Sequence, residues 1–150
     1  MRATRLLDLS LRDGERCLGR VTDVGALPDG LAIAYARGLF KPQTSWVRLR
    51  RGRFLPPNLE GEITPVDAAE VILGRRLEGG GLGGDAHIAD LVVNLEMGRI
   101  EWAVLSEGLW RDVTRGRRVV PFAEIALGRE EVKGPELPTL RLSKHGARGD

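Results

Sequence analysis

A single cysteine, Cys17, leaves no intrachain disulfide to form in this 150-residue chain, which fits a reducing compartment. Histidines number only two. His87 has no second His or Cys at metal-ligand spacing, and His145 lies in the C-terminal stretch, so no zinc site is expected. Aromatics make up 5% of the residues, and Leu, Val, Ile and Ala must fill most of any core. Lysine is nearly absent: Lys41, Lys133 and Lys144 are the only three, and arginine carries the remaining positive charge. Net charge is just +2, so the basic character is local and does not by itself imply a nucleic-acid partner. No tract approaches the ~20 apolar residues of a membrane-spanning helix. Met1–Leu11 interleaves Arg2, Arg5 and Asp8 with leucines and lacks a signal-peptide core,. A cytoplasmic location is expected.

A pattern written twice stands out against these absences. The first copy is Leu18-Gly19-Arg20-Val21-Thr22-Asp23-Val24, then Asp29 to Tyr35, then Gly38-Leu39-Phe40. The second is His87-Ile88-Ala89-Asp90-Leu91, then Gly98 to Val104, then Gly108-Leu109-Trp110. Asp23 matches Asp90, Gly30 matches Gly98 and Gly38 matches Gly108. A period of about 67 residues is too long for a solenoid and suits a small domain duplicated in tandem. A unit of that size is marginal alone.

Short alternating segments punctuated by turn residues predict an all-β chain. Leu7, Leu9 and Leu11 predict a strand closed by an Asp13-Gly14 turn. Arg16–Val24 reads as the return strand, Pro28-Asp29-Gly30 as a turn, and Leu31–Tyr35 as a third strand. Trp46–Arg50 and Arg53–Leu55 flank Arg51-Gly52, which reads as a hairpin. Thr64-Pro65 reads as a helix N-cap and first turn through Ala69. A second strand set follows from Val71, through Ile88–Leu95, a Met97-Gly98 turn, Ile100–Val104 and Arg117–Val120. A short turn is expected at Pro121–Ile125. Apolar rhythm is lost after Gly128, and residues 129–150 are expected to be a disordered tail.

Ile72-Leu73-Gly74-Arg75-Arg76-Leu77, Ile88-Ala89-Asp90-Leu91, Gly98-Arg99-Ile100 and Val119-Val120-Pro121-Phe122-Ala123-Glu124-Ile125 resemble the PRC-barrel family. Leu18 to Val24 resembles it in the first copy, although Leu55-Pro56-Pro57 departs from the closing pattern. Ala86 stands in the second copy where Gly19 stands in the first. The resemblance implies two small PRC-barrel-like β-barrels in tandem, residues 1–60 and 61–128, with short helical turns. It also implies docking to other macromolecules rather than catalysis.

The most distinctive charged residues are Lys41, Arg48, Arg50, Arg51 and Arg53, and in the second copy Arg111, Arg115, Arg117 and Arg118. They read as two basic hairpin tips near Trp46, Phe54 and Trp110. Guanidinium forks suit phosphate or carboxylate, and neighbouring rings could stack on bases. The simpler reading is that charged strand edges block aggregation. Asp23 and Asp90 could serve as metal ligands or bases, but the structural reading is preferred: a carboxylate accepting nearby backbone N–H groups at a turn or bulge. Gly30 and Gly98 are turn residues. Gly79–Gly84 lacks the Lys-Ser/Thr of a phosphate loop and reads as a hairpin tip. Cys17 reads as a small buried residue. Arg148-Gly149-Asp150 carries no weight as an adhesion signal.

No catalytic constellation, cofactor or metal is expected. The preferred reading is a non-enzymatic adaptor that binds another protein, with self-association also open. The alternatives are an RNA- or ribosome-associated module using the Arg-rich hairpins, and a small-molecule binder or enzyme with a cleft between barrels.

Overall fold

The computed structural model describes residues 1–13, 16–38, 43–55, 58–79, 86–126 and 139–142. The chain is mostly β, with largely antiparallel sheets. It divides into two compact units: residues 1–72 with 92–100, and residues 73–91 with 101–150. The boundary at 60/61 expected from the repeat falls inside a strand, and the hairpin end 92–100 groups with the first unit.

In the first unit a 3-10 turn, Ala3–Arg5, precedes β1 (Ser10–Asp13). The strand expected from Leu7 begins later because Asp8 takes a positive φ of 68°, which breaks the extended period. β2 (Arg16–Leu27), β3 (Gly30–Arg37), β4 (Gln43–Leu55), β5 (Asn58–Val66) and β6 (Glu70–Val71) follow. β2 and β3 are joined by Pro28-Asp29 and pair antiparallel in register from Leu27↔Gly30 to Arg20↔Ala36. β1 pairs antiparallel with β2 and parallel with β5. The pairings therefore run β1–β5–β4–β3–β2 and return to β1, with β6 further along the same edge of β2 that β1 uses.

Two expectations for this unit are corrected. Arg51-Gly52 is not a hairpin: β4 runs through it. Its register moves from Arg50↔Glu62 to Arg53↔Glu60, so one extra residue is absorbed as a bulge, a use of Gly as natural as a turn. Thr64-Pro65 does not start a helix but lies within β5, with Pro65 opposite Val47. β1 pairs with β5 only over Asn58–Glu60. Among the described residues no strand pairs with Pro65 on its other side, so its missing N–H costs no ladder bond there.

Leu31, Ala32, Ile33 and Ala34 are all buried, so β3 is covered on both faces. Leu6, Leu11, Val21, Val24 and Val47 complete this core. Each fully buried Leu or Ile contributes about 1.5–3 kcal/mol. Ala32 and Ala34 are small because Trp46, paired with Ala34, leans across β3. A Cβ on Gly25 would lie 2.8 Å from its Cζ3 and 2.9 Å from its Cη2.

The second unit contains β7 (Leu77–Glu78), the adjoining parts of β8 (His87–Asn94) and β9 (Arg99–Ser106), helix α1 (Leu109–Arg115), β10 (Arg118–Pro121), β11 (Ile125–Ala126) and β12 (Leu140–Leu142). β10, β9 and β8 form one three-stranded sheet, and β11, β12 and β7 another. A 3-10 turn, Phe122–Glu124, separates β10 from β11, as Pro121 at its entry suggests. Leu140–Leu142, expected to be part of a featureless tail, instead form β12, with Leu140 and Leu142 buried. An apolar-polar-apolar triplet suffices for a three-residue strand between β11 and β7. Residues 129–138 and 143–150 of the expected tail lie outside the described residues. Ile88, Leu91, Ala103, Leu105 and Val120 are buried with them.

Candidate functional site

The basic residues do not form two equivalent hairpin tips. Lys41 lies outside the described residues. Arg48 grips Asp29 of the β2–β3 turn through both guanidinium nitrogens, Nη2 to Oδ1 at 2.6 Å and Nη1 to Oδ2 at 3.0 Å. This hydrogen bond, more than the charge itself, favours the protonated guanidinium further. Along β4, Arg50 stands opposite Glu62 and Arg53 opposite Glu60, with Arg51 at the bulge. That register, which local sequence cannot reveal, sets Glu60 and Glu62 of β5 at the backbone positions across from Arg53 and Arg50. Trp46 is half-buried over Gly25 and is committed to packing.

In the second unit Arg111 and Arg115 lie on α1, Arg117 follows it, and Arg118 opens β10. The region expected as a hairpin is therefore helix, turn and strand. Gly108 at φ 109° and Gly116 at φ 75° bracket the helix. Asp112 organises the segment: its Oδ2 accepts the Ser106 hydroxyl at 2.6 Å and its Oδ1 accepts the Glu107 N–H at 3.3 Å. Arg117 Nε is 3.5 Å from Oδ2. These donors, the Ser106 hydroxyl foremost, hold the Asp112 carboxyl below the ordinary range.

Asp23 and Asp90 have the same local geometry. Asp23 Oδ1 accepts the Val24 N–H at 2.8 Å, and Asp90 Oδ1 accepts the Leu91 N–H at 2.8 Å. Asp23 follows a bulge, since β2 moves from Val21↔Tyr35 to Asp23↔Ala34 with Thr22 as the extra residue. Burial pushes the Asp23 carboxyl up, against the lowering effect of the Val24 amide. Gly30 and Gly98 meet directly: the Leu31 N–H donates to Gly98 O at 2.9 Å, and a Cβ on Gly30 would lie 3.2 Å from that oxygen.

Cys17 is exposed, contrary to the buried role expected; it lies on β2 opposite Arg12 near the β1–β2 turn. His87 is half-buried on β8 and bridges to Arg76. His145, Gly80–Gly84 and Arg148–Asp150 lie outside the described residues. Among the described residues no group of three His, Cys, Asp or Glu side chains could hold a metal ion. No helix among them is long and apolar enough to cross a membrane.

The feature missed in the sequence is an apolar surface on β9 and β10. Trp102 is paired with Pro121 and Val104 with Val119. Cross-strand partners share a face of the sheet, so these four residues lie together. Trp102 is 42% exposed and Val119 47%, whereas Val104 beneath them is buried. Ala103, Leu105 and Val120, on the opposite face, are buried. The alternation of Ile100, Trp102 and Val104 reads as a core face. The run Ala103-Val104-Leu105 is the signal that both faces are apolar.

No protein-family model matches the chain, and no curated protein matches its sequence.

Proposed function

We propose that the chain is a non-enzymatic adaptor that binds another protein through the Trp102–Val119–Pro121 face. The exposed face carries this reading: large apolar side chains left in water beside a buried core are what a docking surface needs. A tryptophan flanked by aliphatic residues is the kind of anchor that dominates protein interfaces.

The adaptor is further read as two PRC-barrel-like units arising by duplication. Support comes from the order of strand pairing. In the first unit β1 pairs antiparallel with β2 and parallel with β5, and β2, β3 and β4 follow in sequence. In the second, Arg76 beside β7 bridges to His87 of β8. β7 pairs parallel with β12, and β8, β9 and β10 follow in sequence. β10 and β11 together stand where β4 stands, divided by a 3-10 turn where β4 is divided by its bulge. The shared Asp23 and Asp90 geometry falls at matching places in this scheme. The return of the first unit's pairings to β1 is what a small closed barrel requires.

The test is an affinity pull-down of the tagged chain from its host's lysate, with and without nuclease, beside a Trp102→Ser/Val119→Thr variant. A stoichiometric protein that survives nuclease and is lost with the variant is the expected result. Ribosomal proteins that vanish with nuclease, or a partner indifferent to the variant, would overturn the reading. The Arg48–Asp29 pair lowers the positive potential that β4 could offer to RNA.

A further inference from the structure

Resting on the adaptor reading, we infer that the partner presents an acidic segment whose apolar side chain seats on Trp102 and Val119. Three observations lead there. The first is chemical. β10 is entered through Arg117, two residues before Val119, and Arg115 lies at the exposed end of α1. Arg117 is 54% exposed even while facing Asp112. The apolar face is thus approached from a positive end, and carboxylates on a partner match guanidinium groups in charge and shape.

The second concerns Pro121, which supplies no N–H to a further strand. Sheet extension along β10 is discouraged, as with other proline-guarded edges, and recognition falls to side chains. The third concerns the opposing carboxylate. Asp112 meets Arg117 at 3.5 Å and leaves that side chain 54% exposed, and Arg115 is exposed on α1, so both guanidinium groups remain within reach of a partner's carboxylates.

The probe is an acetylated octapeptide of alternating Leu and Glu, with a Leu/Lys octapeptide as control, titrated into the full chain and followed by amide and indole NMR shifts. The Leu/Glu peptide is expected to move Trp102, Val119 and Val120 in a saturable way. Arg115→Glu should weaken it about fivefold, because the reversal removes one exposed ion pair and adds a repulsion of similar size, and added salt should weaken the parent's binding as well. Equal response to both peptides, or shifts confined to other residues, would overturn the inference. So would Val119 amide protection in the chain alone that disappears when residues 143–150 are removed, because the surface would then belong to the chain itself. A lysate partner lost with Trp102→Ser/Val119→Thr but retained by Arg115→Glu would leave the adaptor reading standing and remove the acidic segment alone.

Discussion

Gly25→Ala is expected to destabilise the first unit through two distinct collisions. The new Cβ would stand 2.8 Å and 2.9 Å from Trp46 ring atoms and 2.8 Å from the Glu70 carbonyl oxygen. Comfortable carbon contacts begin near ~3.5 Å, so each neighbour must retreat by more than half an ångström. The ring can tilt, but the carbonyl belongs to β6, held to β2 by the Gly25↔Val71 and Ala26↔Glu70 rungs. Overpacking of this kind costs about 1–3 kcal/mol. Replacing a strand glycine by alanine returns about 0.5–1 kcal/mol of backbone entropy. The net loss is then about 0–2.5 kcal/mol by that balance, with two collisions placing it in the upper half. Urea denaturation followed by circular dichroism measures it, provided the denaturant slope is unchanged.

Trp46→Leu, alone and combined with Gly25→Ala, separates the collisions. Removing the ring relieves one of them, so the double variant should be more stable than the sum of the singles predicts, by at least ~0.5 kcal/mol. Hydrogen exchange at Val71 should stay accelerated in the double variant, because the Glu70 contact persists. Additivity within about 0.3 kcal/mol would refute the packing of Trp46 over Gly25.

Gly19→Ala should cost about 3 kcal/mol, the upper end for overpacking. Its Cβ would collide with the backbone carbonyl of Ala36 from a φ of 155°, and thermal melting checks it. Asp23 binds its proton more tightly when folded, since burial raises its pKa above 3.8. Its contribution to stability therefore falls as pH rises from 3.8 through the raised folded value,. Asp23→Asn should keep the acceptor for Val24 and gain relative to the parent across that window; parallel urea midpoints at every pH would count against it. Asp112 has the opposite sign: its stabilisation is present above 3.8 and lost as pH falls through its lowered folded value,. Ser106→Ala should raise the Asp112 carboxyl titration seen by NMR, and an unmoved titration would remove the hydroxyl as the leading cause.

Turns whose chemistry is local were legible in the chain. Pro28-Asp29-Gly30 joins two strands and Pro121 introduces a short helical turn because those residues limit φ within a few positions. Arg51-Gly52 was ambiguous because the same Gly serves a bulge or a turn, and only the strand that later pairs with β4 decides. Thr64-Pro65 likewise fits a helix start or an unpaired strand edge, and β1's short reach along β5 selects the latter. For the candidate surface, Trp102 was legible as a strand residue but not as an exposed one. Which face of β9 meets the core depends on Val120 and Leu105, a tertiary choice. Arg48 was visible, whereas Asp29 answers it only after folding.

The parallel pairing of an early strand with a much later one constrains how the chain matures during synthesis. β1 waits for Asn58–Glu60 and β7 for Leu140–Leu142, so each unit is completed by contacts distant in sequence, which slow folding. The first unit also recruits residues 92–100, made only after residues 73–91 of the second have emerged. A ribosome-bound chain halted before residue 92 would thus hold a first unit without its final complement, its apolar surface open to chaperones, and release of that surface would coincide with synthesis of the β8–β9 hairpin.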